Sequence, residues 1–185
     1  MRKLIFGTNI SIDGCCDHTK LTGYEDVHTY FTQLMQGAGL LAYGRITYQL
    51  MVPFWPEFAK NHSGPPTPVS EFARVFSSVN KVVFSRTLKE VEDKNTKIVS
   101  TGIKDEITRL KQEEGKDILL GGVDVPLQLI EFGLVDEFHF VVQPIVAGGG
   151  RRLLEAIKLQ EKLQLKLVES NTFKSGCVAL HYVKN

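Results

Sequence analysis

Strand-like and helix-like patterns alternate along the first 130 residues, and this alternation constrains the fold more than any other feature of the sequence. Short apolar runs predict buried strands, for example at residues 3–10 and 81–85. Between such runs, apolar side chains recur at helical spacing, as Val27, Phe31 and Leu34 do. Because parallel strands need a crossover connection, the alternation predicts an α/β fold with a mainly parallel sheet flanked by helices.

The last third of the sequence has a different pattern. Residues 136–146, 163–170 and 177–183 are partly alternating strand candidates, and no clear helix pattern separates the last two. Consecutive strands of this kind pair antiparallel, so the sheet is expected to be mixed, with antiparallel C-terminal strands. The proline-rich stretch 52–68 is expected to be a surface loop. No repeat or compositional break marks a linker, so residues 1–185 are expected to form a single domain.

Composition and charge narrow the functional classes. The formal net charge is +1, from 22 basic and 21 acidic residues, so no basic surface is predicted for a nucleic acid. The three cysteines form neither a paired disulfide framework nor a CxxC metal motif, which favours a cytoplasmic location. No signal peptide and no membrane span is predicted. The expected partner is therefore a small molecule.

Glycines and polar residues follow three of the strand candidates. Ligands of open α/β sheets bind at the carboxyl ends of strands, so these residues are candidates for lining one crevice. Arginines there could bind phosphate, and glycines would admit a pyrophosphate close to the backbone. The candidates are Gly44, Arg45 and Thr47 after the second strand, Ser85 and Arg86 after the third, and Gly121 and Gly122 after the fifth. Alternatively, the glycines form tight strand-to-helix turns and the arginines are surface charges.

Other polar residues give weaker signals. Asp13 precedes Gly14, and Asp-Gly is a common turn pair. His139 and His181 each stand alone in a strand candidate, where a histidine is more often structural than a ligand. No group of histidines, cysteines and acidic residues has the spacing of metal ligands, and no serine lies in a GxSxG motif. We therefore expect no metal and no acyl-transfer chemistry.

Four segments together carry a family resemblance: residues 4–14, 40–48, 81–88 and 118–154. The most specific pieces are the glycine-arginine-x-threonine of residues 44–47 and the run from the glycine pair to the AGGG motif. In this combination the chain resembles the dihydrofolate reductase superfamily, in the bacterial branch similar to the reductase domain of the bifunctional riboflavin-biosynthesis deaminase/reductase. The resemblance covers nearly the whole chain. It implies a three-layer fold, NADPH as the cofactor and a homodimer.

The resemblance also implies roles for the cofactor residues. The family's turn and helix start at the cofactor phosphates match Gly44, Arg45 and Thr47, and its adenosine-phosphate site matches Ser85 and Arg86. The glycine pair beneath the pyrophosphate matches Gly121 and Gly122. The nicotinamide edge matches Thr8 and Asn9. One residue departs from the pattern. Asp124 follows the glycine pair closely, and a carboxylate there would repel a pyrophosphate unless it points away.

The substrate side is less well defined. Asp13 matches a position near the entrance of the substrate pocket, and Trp55 or its neighbour Phe54 is a candidate for stacking on a substrate ring. An aromatic residue in a proline-rich stretch, however, more often anchors that stretch to the core. Folate reductases use an acid on the first helix as proton donor, and Asp26 or its neighbour Glu25 is the nearest candidate. Asp26 could instead only complement the helix dipole.

The expected function is NADPH-dependent reduction of a small polar heterocycle or carbonyl by hydride transfer. Dihydrofolate is not the expected substrate, because the Leu-Pro-Trp-like run that precedes the acid of folate reductases is absent. One alternative is reduction of the 5-amino-6-ribosylaminopyrimidine of riboflavin synthesis. The other is a non-catalytic nucleotide-binding protein.

Overall fold

The computed structural model describes residues 1–91 and 93–185, which form one eight-stranded sheet with helices packed on it. The strands are β1 (Leu4–Ser11), β2 (Ala38–Gly44), β3 (Lys81–Phe84), β4 (Thr96–Val99), β5 (Asp117–Leu120), β6 (Glu137–Gln143), β7 (Leu165–Thr172) and β8 (Val178–Lys184). The helices are α1 (Glu25–Gly37), α2 (Arg45–Asn61), α3 (Pro68–Ser78), α4 (Ile103–Gln112) and α5 (Asp124–Glu131), with a short 3₁₀ helix at His18–Lys20.

The strand order is β4-β3-β2-β5-β1-β6-β8-β7. All neighbours from β4 to β6 pair in parallel, whereas β6 with β8 and β8 with β7 pair antiparallel. The predicted mixed, mainly parallel sheet with antiparallel C-terminal strands is therefore confirmed. Within the part of the chain that the structure describes, no helix is both long and apolar enough to cross a membrane.

Both faces of the parallel part of the sheet are buried. On β2, Ala42 packs into a cluster with residues of α4 and α5, and its neighbours Leu41 and Tyr43 pack into a second cluster with α1, α2 and α3. This division follows from the alternation of side chains along a strand. Burying a large apolar side chain stabilises a fold by about 1.5–3 kcal/mol, so the two clusters hold the three layers together.

The proline-rich stretch 52–68 is mostly helical, and the predicted surface loop is confined to residues 62–67. Helix α2 continues to Asn61 and contains Pro53 and Pro56 in its interior. An interior proline costs a helix about 3 kcal/mol, because it lacks an N–H and its ring clashes with the preceding turn. Val52 is buried on the inner face of α2, and the ring of Trp55 packs 4.6 Å from that of Phe72 on α3. We infer that this tertiary packing outweighs the local cost.

Candidate functional site

The carboxyl ends of three predicted strands lie next to one another in the sheet. Strands β3, β2 and β5 are consecutive in the sheet and parallel, so their carboxyl ends lie side by side. Gly44 ends β2, Ser85 follows β3 and Gly121 follows β5. The residues singled out from three distant parts of the sequence therefore come together along one rim, where open α/β sheets bind ligands.

Strand β1 extends beyond the end of its neighbour β5, and we call the gap beside this extension the notch. Strand β5 pairs only with Leu4–Phe6 of β1, whereas residues 7–11 pair with β6 alone among the described strands. Thr8 and Asn9 lie on this extension beyond the end of β5. A Cβ placed at Gly7 would lie 3.2 Å from the Phe31 ring of α1, so odd-numbered residues of β1, including Asn9, face α1.

Asn9 carries an unpaired polar atom in this notch. Its side-chain oxygen is buried and has no hydrogen-bond partner among the described residues. A buried donor or acceptor without a partner costs about 1–3 kcal/mol. The carboxamide can be turned over, which exchanges its oxygen and its nitrogen. The group can therefore either accept a hydrogen bond from a ligand or donate one to it. The side chain of Asn9 is therefore a candidate contact for a polar group of a ligand.

Contacts within the protein explain why positions 121 and 122 are both glycine. A Cβ at Gly121 would clash with the ring of Tyr43, and a Cβ at Gly122 would clash with the hydroxyl of Thr47. Gly122 also has φ +84°, a conformation that side chains rarely allow. Packing against β2 and α2 is thus sufficient to require both glycines. Their presence does not by itself indicate a pyrophosphate.

Two helices begin at the same rim. Helix α2 starts directly after Gly44, and α5 starts after Val123, at the ends of β2 and β5. Neither N-cap residue caps its helix with a side-chain hydrogen bond. The first N–H groups of a helix have no intrahelical partner and attract anions together with the helix dipole. The rim therefore presents two adjacent positive helix ends.

The two arginines of the rim are exposed to solvent. Arg45 donates a hydrogen bond from Nη1 to Gln49 Oε1, 3.0 Å away, and Arg86 makes no ion pair with any described residue. Ser85 Oγ accepts hydrogen bonds from the N–H groups of Thr87 and Leu88, at 3.2 and 2.9 Å. These bonds close a tight turn that presents Arg86, and the Ser85 hydroxyl also lies 3.5 Å from Thr87 Oγ1.

Asp124, the residue that departs from the family pattern, is neutralised within the protein. Its carboxylate forms an ion pair with Arg151, which follows the AGGG motif. The pair stands at the start of α5, so the negative charge near the rim is balanced. Our sequence reasoning assigned no role to Arg151. Two adjacent arginines after a run of glycines indicate a candidate anion-binding or ion-pairing site. No sequence pattern connects them with Asp124, however.

Asp13 joins the end of β1 to the AGGG loop. Its carboxylate accepts hydrogen bonds from Ser11 Oγ at 2.6 Å, Ala147 N–H at 2.9 Å and Gly148 N–H at 3.1 Å. The bond from Ser11 and those from the two backbone N–H groups lower the pKa of Asp13 from 3.8 to about 2. Asp13 is therefore ionised at neutral pH and holds the loop in place.

The candidate proton donor and the candidate stacking residue both have partners in the protein. Asp26 accepts hydrogen bonds through both carboxylate oxygens from Ser175, at 2.9 Å from the N–H and 2.8 Å from the hydroxyl. Ser175 lies in the turn between β7 and β8. Trp55 donates from Nε1 to Met51 Sδ at 3.4 Å and packs on Phe72. Each contact anchors the residue to the fold.

Comparisons with known proteins agree with this architecture. The family model described as the RibD C-terminal domain matches residues 2–179. The uncharacterized protein YyaP of Bacillus subtilis (strain 168) is 32% identical over 179 residues, covering 96% of this chain and 87% of that protein. The crystal structure of a putative riboflavin biosynthesis protein from Shewanella sp. PV-4 has a TM-score of 0.74 at 21% identity, covering 100% and 99% of the two chains.

A second solved structure has a similar shape. A pyrimidine reductase-like protein from Corynebacterium diphtheriae has a TM-score of 0.66 at 16% identity, covering 100% of this chain and 92% of that chain. At such identities the two structural matches show a shared fold. That fold is the dihydrofolate reductase-like α/β fold expected from the sequence.

Proposed function

The chain belongs to the RibD C-terminal domain family, and from this premise we propose that it is an NADPH-dependent reductase. Its cofactor lies along the carboxyl ends of β1, β5, β2 and β3, and its substrate is a small polar heterocycle. NADPH supplies a hydride when it is bound. The protein binds and orients both reactants and keeps water away from the reacting atoms.

The buried side-chain oxygen of Asn9 is the observation that carries this proposal. The side chain lies in the notch beside β1, and this oxygen has no partner among the described residues. A nicotinamide carries a carboxamide of its own, which can both donate to and accept from this group. A flat ring placed there would satisfy the buried atom and would lie at the end of the crevice away from β3.

The phosphates of the cofactor fit the opposite part of the rim. The uncapped starts of α2 and α5 present N–H groups to the pyrophosphate, and Gly121 and Gly122 keep that turn free of side chains. Arg86, exposed and presented by the Ser85 turn, binds the 2′-phosphate that distinguishes NADPH from NADH. The preference for NADPH therefore depends on Arg86.

The substrate class has support from the related proteins. One structural relative is called pyrimidine reductase-like, and the other is called a putative riboflavin biosynthesis protein. We therefore place a ribosylated aminopyrimidine of riboflavin synthesis first among the candidate heterocycles. The proton that accompanies the hydride comes from Asp26 or from water, and Asp13 at the end of β1 shapes the entrance. We expect the protein to be a homodimer located in the cytoplasm.

A nucleotide-binding protein without turnover is the second candidate. The observation that favours it is the contact of Asp26 with Ser175, because both carboxylate oxygens are already used as acceptors. In this case the crevice would bind NADPH, but no acid would be free to complete a reduction.

Two measurements test the proposal. Binding of NADPH and NADH is followed by calorimetry, and NADPH oxidation is followed with a panel of aminopyrimidines, with dihydrofolate as a comparison. Binding with turnover supports the reductase, binding without turnover on any heterocycle supports the second candidate, and absence of NADPH binding overturns both.

Asn9→Leu sharpens the binding test. Removal of the carboxamide, whose oxygen is buried without a partner among the described residues, should stabilise the free protein or leave it unchanged, and should weaken NADPH binding about tenfold. Asn80→Leu, at an exposed asparagine outside the rim, is the matched control. A parallel loss of stability and affinity in Asn9→Leu would mean that the carboxamide has only a structural role.

A further inference from the structure

The pairing of β6 with β8 assembles a group of metal-ligating side chains that the sequence did not reveal. His139 on β6 is directly opposite His181 on β8, and Glu137 lies two residues before His139, on the same face. One ligand atom from each of the three lies within 4.8 Å of the others. We call this the Glu137–His139–His181 cluster. It lies near the amino end of β6, whereas the cofactor crevice lies at the carboxyl ends of the strands.

The separations within the cluster suit a small metal ion. Glu137 Oε2 lies 3.1 Å from His181 Nε2 and 3.7 Å from His139 Nε2. Tetrahedral zinc, with bonds of about 2.0–2.2 Å, holds neighbouring ligand atoms about 3.3–3.5 Å apart. The two imidazole rings stack with centroids 4.1 Å apart and an interplanar angle of 16°. In this stacked arrangement the two rings are nearly parallel, so binding of one ion by both histidines requires the His181 ring to turn about its Cβ–Cγ bond.

Tyr30 on α1 supports one of the ligands. Its hydroxyl is 2.7 Å from His139 Nδ1, which fixes the ring and leaves Nε2 for a metal. Metal-binding histidines usually have such an outer partner on the second nitrogen.

Two further charges border the cluster. Glu169 on β7 is the register partner of His181, and its charge contributes, after burial, to raising the pKa of Tyr30 to about 12. As the cross-strand neighbour of His181, Glu169 is a candidate for a fourth ligand. Lys3 lies 2.6 Å from the other oxygen of Glu137, Oε1. Lys3 therefore competes for the carboxylate but leaves Oε2 facing the histidines.

We propose that the Glu137–His139–His181 cluster binds one divalent ion of the zinc class, with Glu169 or water completing the coordination. The mixed nitrogen and oxygen donors favour Zn²⁺, Co²⁺ or Ni²⁺ over Ca²⁺ and Mg²⁺, which prefer oxygen ligands alone. The ion links β6 to β8, where the parallel part of the sheet meets its antiparallel edge. Since binding of this kind favours the folded chain, the ion stabilises that edge.

The first experiment uses the full chain after treatment with a chelator. Titration with Zn²⁺ alone should show one ion per chain with a Kd of about 10 μM or tighter and a rise in Tm. Co²⁺ should give visible bands of low coordination number without a thiolate charge-transfer band. Absence of Zn²⁺ binding in this range overturns the proposal. A thiolate band also overturns it, because that band would assign the ion to Cys15, Cys16 or Cys177.

Variants provide the second test. His181→Gln should weaken Zn²⁺ binding at least about tenfold, since loss of an outer partner alone costs that much. His62→Gln, which changes a histidine near the end of α2, should leave binding unchanged. Lys3→Met removes the competing cation and should tighten Zn²⁺ binding about three- to tenfold. Equal affinities of the wild type, His181→Gln and Lys3→Met would contradict the assignment, and each variant's folding is checked by circular dichroism.

Discussion

Arg151, in the loop after β6, forms an ion pair with Asp124, the first residue of α5. Its Nη2 contacts Oδ1, and its Nη1 lies 3.5 Å from Oδ2. Both side chains are substantially exposed, so the pair contributes little to stability. Its importance is electrostatic, because it balances a carboxylate at the rim where the proposed cofactor phosphates bind.

The first prediction is that this pair sets the affinity for NADPH. Asp124→Asn should tighten NADPH binding about three- to tenfold at low salt, because it leaves the charge of Arg151 for the phosphates. Arg151→Ala should weaken binding by a similar factor. Both effects should shrink as salt is added. Glu131→Gln, at the other end of α5, is the control, and equal affinities of all four proteins by calorimetry would remove the pair from the cofactor site.

The second prediction concerns cofactor selectivity. Arg86→Ala should weaken NADPH binding about ten- to a hundredfold and leave NADH nearly unchanged, because a charge-assisted pair with a phosphate contributes about 1.5–3 kcal/mol. Arg74→Ala removes an exposed arginine from α3 and should change neither. The measurement is the Kd of each cofactor, and equal losses for both would show that Arg86 does not bind the 2′-phosphate.

The third prediction concerns the reason for the glycine pair. Gly121→Ala should destabilise the fold by about 1–3 kcal/mol, because the new Cβ meets the buried ring of Tyr43. In a Tyr43→Ala background the same change should cost clearly less. Urea unfolding of the four proteins measures the coupling. If the cost is the same in both backgrounds, another contact requires the glycine.

The fourth prediction separates the two roles of Asp26. Asp26→Asn keeps one acceptor oxygen and Ser175→Ala keeps its N–H, so each variant loses one of the two hydrogen bonds between α1 and the β7–β8 turn and should lower stability by about 1–2 kcal/mol. A proton-donating Asp26 would add a loss of turnover of about 10²–10⁴ in Asp26→Asn only. Turnover numbers across pH distinguish the two roles once a substrate is found, and equal turnover in both variants would assign the proton to water or to another residue.

The fifth prediction follows from the lowered pKa of Asp13. Its value of about 2 in the folded chain lies below the ordinary 3.8, so the folded chain favours the ionised carboxylate. Asp13 therefore stabilises the protein above about pH 4, and this contribution is lost as pH falls towards 2. Asp13→Asn should be less stable at pH 7, and its difference from the wild type in urea unfolding should diminish between pH 5 and 2. A constant difference across this range would contradict the role of the charge.

The sequence by itself determined the layered α/β fold and the rim where the carboxyl ends of β2, β3 and β5 lie side by side. Apolar periodicity is local, so it identifies strands and helices wherever burial follows one face, as with Val27 on α1. Parallel strands separated by helices then place their carboxyl ends on one edge, and Gly44, Ser85 and Gly121 lie there for that reason. The family resemblance added the expected cofactor, which a local pattern does not contain.

Only the tertiary structure decided which distant residues meet. Helix α2 continues through Pro53 because its inner face is buried, Gly121 is required by the ring of Tyr43, and Asp124 is balanced by Arg151. His139 stands alone in the sequence but is opposite His181, 42 positions later, because β6 and β8 pair in that register. Strand order and register depend on the summed packing of the whole chain, whereas a sequence pattern reports only the preference of neighbouring residues.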